Sequence, residues 1–190
     1  MNFTLLLKYS FDFQQTGNND SGFGGINMGK ILGIAIKNYG TLKDIKMGKL
    51  YTDQKGVELG NMVTIIGPSG NGKSTLADAF GFIADALETD VESACDKGNR
   101  GGFDKLVSQG SNGPISFEIY YRETKKARPI TYELTIGADK NGRPQVIEER
   151  LRQRRANQSS GRPLSFLYLT NGKGYSFKGI DGGQDRKSVV

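Results

Sequence analysis

The stretch GPSGNGKST, residues 67–75, governs how the rest of this chain is interpreted. It fits the pattern G-x-x-x-x-G-K-[ST], whose glycines let the backbone curl so that successive N–H groups point inward around an anion. In this pattern the lysine ammonium reaches the β- and γ-phosphates of a nucleotide, and the following hydroxyl binds Mg²⁺. We therefore predict a site for ATP and Mg²⁺, with Ser74 as metal ligand, formed by Gly67, Pro68, Ser69, Gly70, Asn71, Gly72, Lys73, Ser74 and Thr75.

The sequence on both sides of this loop supports the prediction. Residues 62–66 form a short apolar, β-branched run, which is typical of a buried parallel strand. After the loop, apolar residues recur at helical spacing to about Leu87. The order strand, glycine loop, helix points the positive N-terminus of the helix at the bound phosphates.

Composition limits the classes of function that this chain can have. At 190 residues it is one domain or part of one, and its net charge of +6 allows a polyanionic partner without proving one. It has no histidine and a single cysteine, Cys95, which excludes His-based acid–base catalysis, cysteine zinc sites and a disulfide framework. Because the chain has a single cysteine, we expect it in a reducing cytoplasm. No apolar run approaches the ~20 residues that cross a bilayer, so we expect no membrane segment.

The two ends of the chain differ in composition from its middle. Residues 1–27 include a polar, Gly/Asn-rich stretch, so we expect a disordered or non-native extension, with Met28 as the true start. Residues 185–190 match the translation of a common sequencing-library adapter, so we expect a non-native tail there; a native charged tail is the alternative. The domain itself then spans residues 28–184.

Apolar residues alternate with polar ones through the C-terminal half, which predicts strands at residues 115–122, 130–137, 144–151 and 164–170. Asn141-Gly142 and Asn171-Gly172 supply the hairpin turns. Two further strands are predicted near residues 31–36 and 42–47, a charged surface excursion at 88–102 and a short helical turn at 103–107. We therefore predict an α/β fold class: a P-loop NTPase half-domain (strand–P-loop–helix) with an accompanying antiparallel sheet, which we expect to be an incomplete domain.

Two segments carry a resemblance to a known family: IAIKNYGTLKD at residues 34–44 and IIGPSGNGKSTLADAF at residues 65–80. Together they resemble the N-terminal half of an ATP-binding-cassette ATPase head, closer to SMC, RecF and OLD-type AAA proteins than to transporter cassettes. The likeness covers roughly residues 31–180. It implies an intact protein that binds Mg-ATP, dimerises across two nucleotides and hydrolyses ATP in DNA repair, chromosome organisation or phage defence.

The family completes its site with two motifs that this sequence lacks: four apolar residues followed by Asp-Glu, and a Ser-Gly-Gly signature for which Ser159-Ser160-Gly161 is a poor substitute. The catalytic residues are therefore unknown, and we expect this chain to be inactive alone. The resemblance implies two partners, the missing C-terminal half of the same head and, when intact, a second copy of the protein. Gln109 is a candidate for the family's Mg-contacting glutamine, although a polar loop residue is favoured. Tyr39 is a candidate for stacking on adenine, although a core tyrosine is favoured.

Three other functions compete with the ATPase head. A small P-loop nucleoside or nucleotide kinase has the same glycine loop, but it carries helices in the region where apolar and polar residues alternate in this chain. A GTPase is disfavoured because the D-x-x-G match at residues 139–142 lies in a hairpin turn. A dense group of arginines suggests a third alternative, a nucleic-acid-binding module, and also suggests DNA as a partner of the ATPase head. The structural alternative is that these arginines form a charged strand edge that blocks aggregation. The group is Arg150, Arg152, Arg154, Arg155 and Arg162.

Overall fold

The computed structural model describes residues 29–53, 55–155, 158, 161–177 and 186–189, the last four by their backbone. One eight-stranded sheet dominates it, in the order β2-β1-β3-β4-β5-β6-β7-β8, with every neighbouring pair antiparallel. The strands are β1 Lys30–Tyr39, β2 Leu42–Gly48, β3 Ile115–Arg122, β4 Ile130–Ala138, β5 Pro144–Gln153, β6 Leu164–Thr170, β7 Lys173–Phe177 and β8 Arg186–Val189.

The strands predicted from alternation are confirmed, within two residues at most ends. The expected extension 1–27, Met28 and the pair Ser159-Ser160 lie outside the described residues. Four residues of the expected non-native tail form β8, whose backbone pairs with β7. The turn at Asn171 and Gly172 has φ of +49° and +74°, as a tight hairpin requires.

Alternation places one face of the central strands in the core. In β3 every second residue is buried, and Phe117 pairs with Leu134 and Ile119 with Tyr132 on β4. Because paired residues share a face of the sheet, these four side chains form one apolar surface. The opposite face of the same strands carries Ser, Thr, Glu and Arg side chains, so the helices must pack on the first face.

Three helices cover that apolar face: α1 Lys73–Glu88, α2 Val91–Asp96 and α3 Phe103–Leu106. Helix α1 buries four residues at helical spacing, among them Phe82, whose ring lies 5.8 Å from the Phe117 ring. A fully buried side chain of this size contributes about 1.5–3 kcal/mol. The packing therefore fixes α1, and the glycine loop before it, against the sheet. Among the described helices, none is long and apolar enough to cross a membrane.

The expected excursion at residues 88–102 is wrong in part, because it contains α2 and a 3₁₀ turn at Lys97–Asn99. Helix α2 begins after Asp90, whose carboxylate accepts a hydrogen bond from the Ser93 backbone N–H at 2.8 Å. This side-chain cap satisfies one of the N–H groups that a helix leaves unpaired at its start. The Asp-x-x-Ser spacing was the available signal, and the high charge of the segment obscured it.

The predicted strand at residues 62–66 is wrong. The structure assigns no strand there, and the run is exposed, with Met62 at 85% and Ile66 at 90%. A buried parallel strand needs a hydrogen-bonding neighbour, and no strand pair among the described residues includes this run. The apolar segment therefore enters the glycine loop as extended, solvent-facing chain.

Candidate phosphate-binding site

The glycine loop turns from the exposed run into α1 through two glycines in the left-handed region. Gly70 has φ of +85° and Gly72 has φ of +80°. A Cβ added to Gly70 would meet nothing within 4 Å, whereas one added to Gly72 would lie 2.7 Å from the Thr41 hydroxyl oxygen. The loop thus needs glycine at residue 70 for its backbone and at residue 72 for both backbone and space.

Lys73, the first residue of α1, places its charge inside the loop. Its Nζ donates hydrogen bonds to the carbonyl oxygens of Gly67 and Pro68, each at 2.7 Å. The first four N–H groups of a helix have no partner within the helix, and they point in the same direction as the positive end of its dipole. A cation and a set of unpaired N–H donors therefore meet at the start of α1, which is an arrangement that binds anionic oxygen.

The turn between β1 and β2 supports the start of α1. Thr41 donates its hydroxyl hydrogen to the Thr75 hydroxyl oxygen at 3.0 Å. A Cβ added to Gly40 would lie 2.7 Å from the Thr75 methyl carbon, and the Gly40 N–H donates to the Leu106 carbonyl oxygen at 2.6 Å. The turn is therefore held between α3 and the loop, and Ser74 remains exposed beside it.

Tyr39 lies in the core and not on the nucleotide side, so the adenine-stacking candidate is wrong. Its side chain is fully buried, with its ring 5.6 Å from that of Phe82, and its hydroxyl donates to the Asp78 carboxylate at 2.5 Å. Burial raises the pKa of the Tyr39 hydroxyl, and the hydrogen bond to Asp78 adds to that shift. The neutral hydroxyl therefore ties the end of β1 to α1.

A second connection runs from α1 to the segment after α2 through Arg100. Its guanidinium donates to the carboxylates of Asp78 at 2.9 Å and Asp85 at 2.7 Å, and Lys97 lies 2.6 Å from Asp85. Burial by itself would raise the pKa of the Asp85 carboxyl, but the hydrogen bonds from Lys97 and Arg100 outweigh it and lower that pKa. Sequence reasoning missed this cluster because α2 lies between Arg100 and its partners on α1 in the sequence.

Gln109 is exposed on the loop between α3 and β3. With Phe103, Ser111 and Ile147 it lines an open groove of about 540 Å³, and no described hydrogen bond joins it to the glycine loop. Both interpretations of Gln109 therefore stay predictions.

The predicted arginine group does not form a single surface. Arg152 is buried, paired with Glu133, and lies 4.6 Å above the Tyr51 ring. Arg150 lies 4.5 Å above the Tyr168 ring on the polar face of the sheet. Both guanidinium groups contact side chains of the sheet in this structure, which does not favour these two residues as DNA contacts.

The other three arginines lie beyond the end of β5. Arg155 and Arg162 are exposed, whereas Arg154 is half-buried.

A protein-family model described as "AAA domain, putative AbiEii toxin, Type IV TA system" matches residues 62–190. The match begins at the exposed apolar run and includes the glycine loop, α1 and the strands from β3 onward. Comparisons with curated proteins and with solved structures give no match.

Proposed function

We propose that this chain, which belongs to the AAA domain family whose model matches residues 62–190, binds ATP and Mg²⁺ through residues 67–75 as a Walker A P-loop. Membership of this family places it among the P-loop NTPases and implies nucleotide binding. The observation that carries the proposal is the Lys73 ammonium held over the Gly67 and Pro68 carbonyls at the start of α1.

The residues present fit a bound triphosphate. The space around Gly70 is open, and the backbone at Gly70 and Gly72 has the curvature that turns N–H groups toward an anion. Lys73 would exchange its loop carbonyls for β- and γ-phosphate oxygens, and the exposed Ser74 hydroxyl would hold Mg²⁺. The metal supplies neutralisation of the phosphate charge, while Lys73 and the helix N–H groups orient the phosphates.

The finer assignment is an SMC-, RecF- or OLD-like head that hydrolyses ATP as an intact homodimer. The contact between the β1–β2 turn and the start of α1 supports it, as does the antiparallel sheet beside the loop. Phage defence and DNA repair are the two candidate processes for the intact protein.

The small-kinase alternative loses its support from the same region. A kinase would carry helices over residues 115–170, where the described chain has four strands. The D-x-x-G match lies in the β4–β5 hairpin, where the Gly142 N–H donates to the Asp139 carbonyl, so the GTPase alternative also lacks support.

A titration of a fluorescent ATP analogue with Mg²⁺ tests the proposal on three proteins: wild type, Lys73→Ala and Lys105→Ala. Loss of the charge-assisted contact should weaken binding about 10- to 100-fold in Lys73→Ala. Lys105 is exposed on α3, and Lys105→Ala removes the same charge outside the loop. This control variant should therefore bind ATP as wild type does. Equal affinities of wild type and Lys73→Ala for the ATP analogue would contradict the proposal that this loop binds the nucleotide.

A further inference from the structure

The turn between β1 and β2, residues 38–42, presents one exposed hydroxyl at the rim of the glycine loop, that of Thr41. A Cβ added to Gly72 would lie 2.7 Å from the Thr41 hydroxyl oxygen, so this side chain lies beside the residue that precedes α1. The same hydroxyl donates to the Thr75 hydroxyl oxygen at 3.0 Å. One side chain of the turn therefore flanks the first turn of α1, where the proposed phosphate site is.

The hydrogen bond from Thr41 determines where the Thr75 hydroxyl hydrogen can point. A hydroxyl has one hydrogen to donate and two lone pairs that accept, and Thr41 uses one of the Thr75 lone pairs. The Thr75 hydrogen is therefore directed away from Thr41. A threonine within a helix often donates to the carbonyl oxygen four residues earlier, which is here that of Asn71. Among the residues that the structure describes, no hydrogen bond uses the Thr75 hydroxyl hydrogen, so it is available to a ligand.

Asn38 holds the turn in place from the side opposite the glycine loop. Its buried side chain donates from Nδ2 to the carbonyl oxygens of Gly113 at 2.5 Å and Pro114 at 3.2 Å. Its own carbonyl oxygen accepts from the Ser108 N–H at 3.2 Å. Asn38 has φ of +62°, a conformation that asparagine adopts more readily than most residues. The turn that carries Thr41 is therefore fixed before a ligand binds, which lowers the entropy lost on binding.

We propose that Thr41 is a positioning residue of the nucleotide site, which orients the Thr75 hydroxyl as a hydrogen-bond donor to a phosphate oxygen. This inference rests on the proposed function, because it requires a nucleotide in the glycine loop. An ionised phosphate oxygen only accepts hydrogen bonds, so a hydroxyl beside it must present its hydrogen. Thr41 acts through Thr75 and does not itself contact the nucleotide. The Thr75 hydroxyl then adds one donor to the free N–H groups at the start of α1.

Titration of the fluorescent ATP analogue with Mg²⁺ tests the inference on variants of Thr41. Thr41→Val keeps the shape of the side chain but removes its hydroxyl, so binding should weaken about 3- to 10-fold, as expected for one neutral hydrogen bond. Thr41→Ser keeps the hydroxyl and should restore the wild-type affinity. Thr52→Val is the matched control, since Thr52 is exposed and its hydroxyl donates to Glu118 on the face of the sheet opposite the helices. This control should bind the ATP analogue as wild type does.

A double-mutant cycle with Thr75→Val separates positioning from a general structural role. If Thr41 acts through the Thr75 hydroxyl, Thr41→Val should change the affinity by less than about 2-fold once that hydroxyl is absent. A residue that only stabilises the fold would weaken binding equally in both backgrounds. Circular dichroism of each variant accompanies the titrations, and the spectra of Thr41→Val and wild type should coincide because Thr41 is exposed.

Several results would overturn the role of Thr41 and leave the proposed function intact, provided that wild type binds the ATP analogue and Lys73→Ala binds it more weakly. These results are wild-type affinity in Thr41→Val, no rescue by Thr41→Ser, and equal losses with and without the Thr75 hydroxyl. Loss of the folded spectrum in Thr41→Val would likewise assign Thr41 a structural role instead. Failure of wild type to bind the ATP analogue would overturn the proposed function and this inference together.

Discussion

Gly70 and Gly72 share a backbone conformation but differ in their surroundings, so they separate two requirements of the loop. Alanine costs about 1–2 kcal/mol in the left-handed region at either position. At residue 72 the new Cβ also meets the Thr41 hydroxyl at 2.7 Å. We therefore predict that Gly72→Ala lowers the free energy of unfolding by at least about 1 kcal/mol more than Gly70→Ala does.

Urea unfolding of the two variants measures this difference directly. Since Gly70 has nothing within 4 Å of its Cβ position, its variant reports the backbone cost alone. Identical losses in the two variants would mean that the turn between β1 and β2 does not support the loop as described.

Asp85 predicts a pH dependence of stability with a defined sign. Its folded pKa lies below its unfolded pKa, so its contribution is fully present above the unfolded value of about 4 and is lost as pH falls through the folded value. At neutral pH, Asp85→Asn should lower the free energy of unfolding by about 1–2 kcal/mol, because Arg100 then lacks one charged acceptor. That deficit should shrink below about pH 4.

Urea unfolding between pH 7 and pH 3, with Asp104→Asn as control for an exposed carboxylate, tests the prediction. A deficit that stays constant across this range would show that the Asp85 carboxylate does not depend on its cationic partners.

At the scale of elements, the sequence predicts the strands of the C-terminal half well because each of them has one buried face. Alternation at residues such as Phe117 and Leu134 is a local signal, and the Asn-Gly pairs fix the turns between strands. The run at residues 62–66 has an equally apolar composition but forms no strand. Whether such a run pairs depends on a neighbour distant in sequence, which composition does not encode.

Helix α2 shows the opposite error, since the sequence predicted an irregular surface segment where the structure has a capped helix. Its six residues are too few for a clear apolar period. The Asp90 cap is a short-range signal, and the many charged residues around it made the segment resemble a surface loop. The cluster around Arg100 could not be predicted either, because it forms only when α1 and α2 pack against each other.

At the scale of the whole molecule, the order of the strands places the β1–β2 turn beside the start of α1, at one end of the sheet. The motif predicts the positive φ of Gly70 and Gly72 in the glycine loop, but the support of this loop by Thr41 and Gly40 depends on β1 lying between β2 and β3. The density of arginines in the sequence does not reveal that Arg150 and Arg152 lie over the rings of Tyr168 and Tyr51.

The most direct measurement of the central claim is an amide chemical-shift map of the labelled protein titrated with Mg-ATP. We predict that the backbone N–H chemical shifts of residues 69–76 change as Mg-ATP is added and reach a plateau when the site is saturated. These groups turn toward the phosphates at the start of α1. The signals of β4 and β5, on strands away from the loop, should stay in place. No movement at residues 69–76, or movement confined to residues outside the loop, would contradict ATP binding by this loop.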